Sequence, residues 1–382
     1  MLTNPILLDY QSSTPCSKEV LKSMEPYWSD FFANPSSKSN LAAISASAAL
    51  EVSREKIQNY LKLPNKKVIF TSGATESNNL ALLGYARSFY KKTNIRGNII
   101  TLATEHKAVL EPLQQLEKEG FSLTEILPEE DGLISIGKLL GLIKEDTFLI
   151  SIMLANNEIG VIQPLKEIAD ICKSRNLILH SDAAQCLGYL PLELIDDNIN
   201  MITISSHKIY GPKGVGILLL DRDIEISPLF WGGGQEQGLR PGTVPVPLIV
   251  GCAKAIELAV LKQDQNFKKL ANHRDYLLNE LLKSDFRIKI NGSMKNRLPH
   301  NLNITILDIN GTQLHKHLKA KIVCSSGSAC SKGNPSHVLK AIGRSTEESE
   351  ASLRISIGLM TTSEEIKLAH NILLSTFKYL RR

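Results

Sequence analysis

Between about residues 66 and 220, short aliphatic and β-branched runs alternate with stretches in which apolar residues recur every three to four positions. The runs at 68–71, 99–102, 148–154, 177–180, 201–204 and 217–220 are almost wholly apolar, which predicts strands buried on both faces. Between them, Leu82, Tyr85, Ala86 and Phe89 fall at i, i+3, i+4 and i+7. Val109, Pro112, Leu113 and Leu116 repeat that spacing, as do Leu165, Ile168, Ala169 and Cys172, so each set predicts one buried helix face. Proline breaks a helix interior, and the second of these helices is therefore expected to start near Glu111, with Pro112 in its first turn. Alternation of this kind predicts an α/β layered fold with a largely parallel central sheet.

The pattern changes after residue 220. Residues 231–247 hold five glycines and three prolines, an irregular stretch too long for a routine turn. Such loops often carry function. A helical pattern follows from about 249 to 283, then strand-like pieces at 286–290, 302–306 and 352–357 and a terminal helix to 382. Together these predict a second, smaller α+β domain.

Composition narrows the class of protein. Hydrophobic residues make up 43% of the 382 positions and charged residues 22%, which excludes a disordered or collagenous chain. Lys and Arg exceed Asp and Glu by only 44 to 39, without a basic stripe, so no direct nucleic-acid partner is expected. No apolar run reaches 18 residues, and residues 1–15 lack a basic leader and are broken by Asp9, so neither a membrane span nor a signal peptide is expected. Six irregularly spaced cysteines, Cys16, Cys172, Cys186, Cys252, Cys324 and Cys330, suit a reducing cytoplasm rather than a disulfide framework. Any of them is then available as a working thiol.

Three segments carry chemistry. Residues 68–76, VIFTSGATE, run from a strand through a small-residue turn into a helix, a geometry that offers free backbone N–H groups and the Ser72 and Thr75 hydroxyls to a phosphate. Neither nucleotide-binding glycine pattern is present, and a simple capped helix start is the plain alternative. Residues 177–185, LILHSDAAQ, place Asp182 just beyond an apolar strand, where α/β folds bind ligands. Residues 201–214 end another strand in Ser205, His207 and Lys208. An amine can form a Schiff base with a carbonyl cofactor, and a carboxylate can keep a pyridine nitrogen protonated. Phosphate cup, carboxylate and lysine, in this order, are the parts that pyridoxal 5'-phosphate requires.

These segments, with LDYQSSTP, NPSS, FTSGATESNNLA, TEHKAVL, NNEIGVIQP, HSDAAQ, SSHKIYGPKG, GGGQEQGLRPGT and SSGSAC, resemble the NifS/IscS-type cysteine desulfurases from about Leu7 to Leu380. That group lies among the class V aminotransferases, fold-type I pyridoxal-phosphate enzymes. The resemblance implies a large cofactor-binding domain over 16–254, and a small domain of 1–15 with 255–382 that carries the catalytic cysteine. It implies that Lys208 bonds the cofactor, Asp182 pairs with its pyridine nitrogen, Gln185 and Asn157 reach its phenolic oxygen, and His106 stacks on its ring. Ala74, Thr75, Ser205 and His207 are implied phosphate ligands, and Thr243 reaches the phosphate of a second subunit, so a homodimer is implied. Arg354 is similar to the arginine that grips the substrate carboxylate, to which a guanidinium fits in bidentate fashion.

Cys330 stands between SSGSA and SKGNP, small polar sequences in which an exposed, reactive thiol is expected. Cys324 ends an apolar run and is expected to pack. His315 and His317, two apart on a helix, point in different directions, so no metal site is expected there. The implied reaction converts L-cysteine to L-alanine and leaves its sulfur as a persulfide on Cys330, for iron–sulfur assembly, tRNA thiolation or another thio-cofactor. A selenocysteine lyase and a class V aminotransferase are the enzymatic alternatives, although a transaminase needs no cysteine at 330; a catalytically silent scaffold is disfavoured by Lys208, Asp182, His106 and Cys330 together. Gln11, Asn40 and Gln235 depart from common family residues, and the stretch after Cys330 is about two residues short. With the chain ending at Arg382, where relatives often continue in a scaffold-binding tail, a shorter persulfide reach and acceptor docking around Lys332 are expected.

Overall fold

The computed structural model describes residues 5–37, 40–195, 198–307, 309–325 and 336–381. In chain order the strands are β1 (Ile6–Leu7), β2 (Lys66–Thr71), β3 (Asn98–Leu102), β4 (Ser122–Ile126), β5 (Thr147–Ser151) and β6 (Ile178–Asp182). They continue with β7 (Met201–Ser205), β8 (Gly216–Asp221), β9 (Ile288–Ile290), β10 (Asn301–Ile306), β11 (Ile322–Val323) and β12 (Ser352–Ser356).

The large sheet has the order β2-β8-β7-β6-β5-β3-β4. Pairing is parallel from β7 through β6, β5 and β3 to β4, and β8 alone runs against its two neighbours. The expected mainly parallel α/β layering is therefore present. Strands β3, β5 and β7 are buried along their whole length, which is why they read as mainly apolar runs without alternation. The pattern did not announce β4: it lies at the sheet edge, partly solvated, and Ser122, Thr124 and Glu125 dilute its apolar signal.

Two helices, Ala74–Thr93 and Lys107–Lys118, pack on one face through Leu82, Ala86, Val109, Leu113 and Leu116. The second starts earlier than expected. The His106 side chain accepts the Ala108 N–H at 3.0 Å and caps the helix at Lys107, which puts Pro112 inside it. A proline there forfeits the bond to the Ala108 carbonyl, while its ring is buried in the packed face. The continuous helix expected over 249–283 is instead two, Val246–Leu261 and Gln263–Leu282, broken at Lys262 (φ −106°, ψ 8°). Residues 261–269 around the break are all partly or fully exposed.

The C-terminal third forms an antiparallel sheet of order β12-β10-β9, and the N-terminus joins it: β1 pairs with β11, and Asp9 bridges to Ser356. Leu8 shares a core with Leu302, Leu353 and, from the terminal helix Ser363–Leu380, Ile366 and Phe377. No helix among the described residues is long and apolar enough to cross a membrane.

Candidate active site

The C-terminal ends of β6 and β7 lie side by side, with Asp182 opposite Thr203. This edge of a parallel sheet is where α/β folds bind ligands. Ten of the twelve residues singled out from the sequence, Ala74, Thr75, His106, Asn157, Asp182, Gln185, Ser205, His207, Lys208 and Arg354, line one cavity of about 1010 Å³ there. Thr243 is exposed and lies outside it. Cys330 and Lys332 fall outside the described residues.

One wall is the turn from β2 into the helix Ala74–Thr93. Gly73 has φ 156° and ψ 179°, a conformation open almost solely to glycine. Gly216, at the start of β8, passes so close that a Cβ there would sit 2.6 Å from the Gly73 backbone. The helix's first amides have no intrahelical acceptor, and Ala74, Thr75 and Glu76 line the cavity. Glu76 accepts the Ser72 N–H at 2.7 Å and Arg240 Nε at 2.9 Å. Burial works to raise the Glu76 carboxyl, but those bonds outweigh it and hold it below the ordinary range.

Asp182 accepts from Asn78 Nδ2 at 2.7 Å and from the Ala184 N–H at 2.9 Å, which fixes its carboxylate plane. Asn78 was not among the residues expected. Its signal was in the sequence, since it lies one helical turn after Ala74 and so on the same face. After β7, Lys208 Nζ donates to the Gln11 and Ser12 carbonyls at 2.5 and 2.9 Å. The neighbouring His207 Nδ1 lies 3.1 Å from Ser13 Oγ. Burial, then Lys208 and Lys213, push the His207 imidazole down to about 4, so it is neutral at pH 7. Gln185 Nε2 donates to the Gln11 carbonyl at 3.2 Å.

His106 caps its helix through Nδ1, which leaves the proton on Nε2. Burial lowers its basicity, opposed by Asp182 and assisted by Lys208 and His337. On β12, Arg354 donates through Nη1 to the Asn157 carbonyl at 3.0 Å, and through Nη2 to Asp9 at 2.8 Å and Ser12 Oγ at 2.7 Å. Its Nε is buried without a partner. Two further cavity residues, Glu158 and Ser336, form a hydrogen bond of 2.5 Å from the serine hydroxyl to the carboxylate. Burial lifts the Glu158 carboxyl to about 7 against the opposing effects of Ser336 and Arg354. Glu158 lies within the NNEIGVIQP segment, but its pairing with Ser336 carried no sequence signal, because it joins positions 178 residues apart.

Cys324 behaves as expected of a packing residue: it lies against the core, and burial pushes its thiol up to about 12. Pyridoxal 5'-phosphate fits the cavity. Ser205 Oγ is buried with no partner beside the helix start, as a phosphate ligand would be, and the anchored Asp182 carboxylate and the Lys208 amine line the same space.

A mainly parallel sheet whose C-terminal edge carries a cofactor-sized cavity with a lysine and a fixed carboxylate defines a fold-type I enzyme. The chain belongs to the aminotransferase class-V family, whose model matches residues 6–368. It is 41% identical to the cysteine desulfurase IscS of Rickettsia prowazekii (strain Madrid E), covering 100% of this chain and 93% of the relative. Among solved structures, a NifS-like protein superposes with a TM-score of 0.91 at 34% identity, covering 98% of this chain and 100% of the other. SspA in complex with cysteine superposes with a TM-score of 0.79 at 37% identity, covering 92% and 98% of the two chains.

Proposed function

We propose that the protein is a pyridoxal-phosphate-dependent cysteine desulfurase, which converts L-cysteine to L-alanine and transfers the sulfur as a persulfide on Cys330. The observation that carries this reading is the meeting of Lys208, Asp182, His106 and Arg354 in one cavity, drawn from four separate parts of the chain. Family membership and the full-length similarity to proteins named cysteine desulfurase support it.

The cofactor, when bound, supplies a carbonyl carbon for the substrate amine and an electron-withdrawing ring that labilises the Cα–H and C–S bonds. Ala74, Thr75, Ser205 and His207 would hold its phosphate, Asp182 its ring nitrogen, and Gln185 and Asn157 its phenolic oxygen. Lys208 Nζ, once free of the carbonyls of Gln11 and Ser12, removes the substrate Cα proton. His106, neutral and protonated on Nε2, holds a proton beside the substrate sulfur. Arg354, which lines the cavity, orients the substrate carboxylate. The Cys330 thiolate attacks the substrate sulfur: an S–S bond forms, the C–S bond breaks, and its electron pair stays on the carbon that becomes the alanine methyl.

A homodimer is supported by the exposed apolar side chains Trp28, Phe32, Leu41 and Trp231, and by Thr243, which lies away from its own cavity. The separate sheets support a large domain over 16–254 and a small one of 1–15 with 255–382. An iron–sulfur scaffold or another sulfur-acceptor protein takes the persulfide, and free cysteines at five described positions suit the cytoplasm. The test is alanine release from L-cysteine by the yellow purified protein, followed by borohydride fixation and peptide mapping. Label on a lysine other than Lys208, or no alanine, refutes the assignment.

A further inference from the structure

We infer that Glu158 is a positioning residue, which ties the chain on both sides of Cys330 to the turn that borders the substrate cavity. The proposal rests on the desulfurase reading. Residues 326–335 carry the thiol, and the described chain on either side of them is anchored. On the N-terminal side, Ser325 exchanges backbone hydrogen bonds with Arg354 at 2.8 and 3.1 Å. Arg354 in turn donates to the carbonyl of Asn157. On the C-terminal side, the Ser336 hydroxyl donates to the carboxylate of Glu158, the very next residue, and Ser336 Oγ also caps the helix His337–Ala341 by accepting the Leu339 N–H at 3.2 Å.

Both anchors thus converge on one dipeptide, Asn157–Glu158, and that dipeptide is itself held from two directions. Asn156 Oδ1 accepts the Glu158 N–H at 2.8 Å, and the Glu158 carbonyl accepts from Asn301 and Asn303 of β10 at 2.9 and 3.1 Å. A second link, from His337 Nε2 to the Glu105 carbonyl at 2.9 Å, keeps the helix start beside His106. Cys330 is five residues from Ser325 and six from Ser336. An extended residue spans at most about 3.6 Å, so the thiol stays within roughly 20 Å of either anchor. Fixing Ser336 therefore sets where the segment that carries Cys330 rejoins the described chain, beside the cavity, and with it the thiol's effective concentration at the substrate sulfur.

The experiment uses the cofactor-loaded enzyme and rapid-quench measurement of persulfide on Cys330, with the cofactor's spectral response to L-cysteine reporting binding separately. Glu158→Ala is expected to slow persulfide formation about tenfold or more, the effect of losing a hydrogen bond to a charged group, with cysteine binding unchanged. Glu158→Gln, which keeps an acceptor for Ser336, is expected to stay within about threefold of wild type. In the double variant Glu158→Ala/Ser336→Ala persulfide formation should slow by less than the product of the two single effects, because both changes remove the Ser336–Glu158 bond and only the serine change also removes the helix cap. Amide exchange at residues 337–341 should rise in Glu158→Ala and not in Glu158→Gln. Persulfide formation at the wild-type rate in Glu158→Ala, or equal slowing in the alanine and glutamine variants, overturns the proposal. If the wild type binds cysteine and releases no alanine, the desulfurase reading falls, and unchanged exchange at 337–341 in Glu158→Ala then independently refutes the anchor.

Discussion

Glu236 offers a sharp test of how the glycine-rich loop is held against the phosphate turn. Its side chain is 3% exposed and accepts three hydrogen bonds: Arg54 Nη2 at 2.9 Å, Arg54 Nη1 at 3.1 Å and the Phe70 N–H at 2.9 Å. The Arg54 guanidinium also lies over the Phe70 ring, 4.8 Å from its centroid. Glu236→Ala takes from a largely buried guanidinium its two closest carboxylate contacts, leaving it Glu51 at 3.4 Å and the Val68 carbonyl, and strands the Phe70 N–H near the end of β2. Removing one partner of a buried pair costs about 3–5 kcal/mol, of which the stranded amide accounts for about 1–3. With an unfolding entropy of about 2.1 cal/mol/K per residue, a chain of this size should lose roughly 4–6 °C in Tm. Glu236→Gln keeps one acceptor oxygen and should lose about half as much. Arg54→Ala leaves Glu236 its bond to Phe70, and the double variant should be less destabilised than the sum of the two singles. Thermal and urea unfolding of all four proteins provide the assay. A loss below about 1 °C for Glu236→Ala, or strict additivity in the cycle, refutes the claim that this ion pair clamps the loop.

Other expectations follow from the same geometry. Ser205→Ala should lower cofactor affinity about tenfold while leaving the cofactor-free protein as stable or slightly more so, since the hydroxyl is buried without a partner; equilibrium dialysis and urea midpoints measure the two effects, and a stability loss would contradict it. Cys330→Ala should still respond spectrally to cysteine and produce almost no sulfide, whereas Cys324→Ala should alter stability and leave sulfur transfer intact; sulfide assays on both separate the working thiol from the packing one. Glu158 has a folded-state carboxyl raised from 4.5 to about 7, so its contribution to stability is complete below pH 4.5 and is lost as pH rises through 7. Urea midpoints across that window should fall less steeply in Glu158→Gln, and an unchanged slope would refute the assignment.

Much of this molecule was legible in one dimension, and the reason is local. Strands buried on both faces are mainly apolar without alternation, so β3, β5 and β7 stood out, while β4 at the solvated edge did not. The chemistry-bearing residues follow strand ends, and a parallel sheet gathers strand ends on one edge; the order of motifs thus implied a shared site before any contact was known. Local pattern misled where tertiary contacts overrode it. Pro112 marks a helix start near Glu111 by propensity, yet the His106 cap sets the start four residues earlier at Lys107, and the pattern from 249 to 283 hides a break at the partly exposed Lys262.

What only the tertiary structure decided are the pairings between distant positions. Asp182 is held by Asn78, Arg354 by Asp9 and Ser12, Glu236 by Arg54, and Glu158 by Ser336. Each such bond joins residues from 104 to 345 positions apart, and periodicity and propensity carry no information at that separation. The burial that raises Glu158 and lowers His106 has the same origin, since a side chain's dielectric surroundings come from whichever elements the fold packs against it.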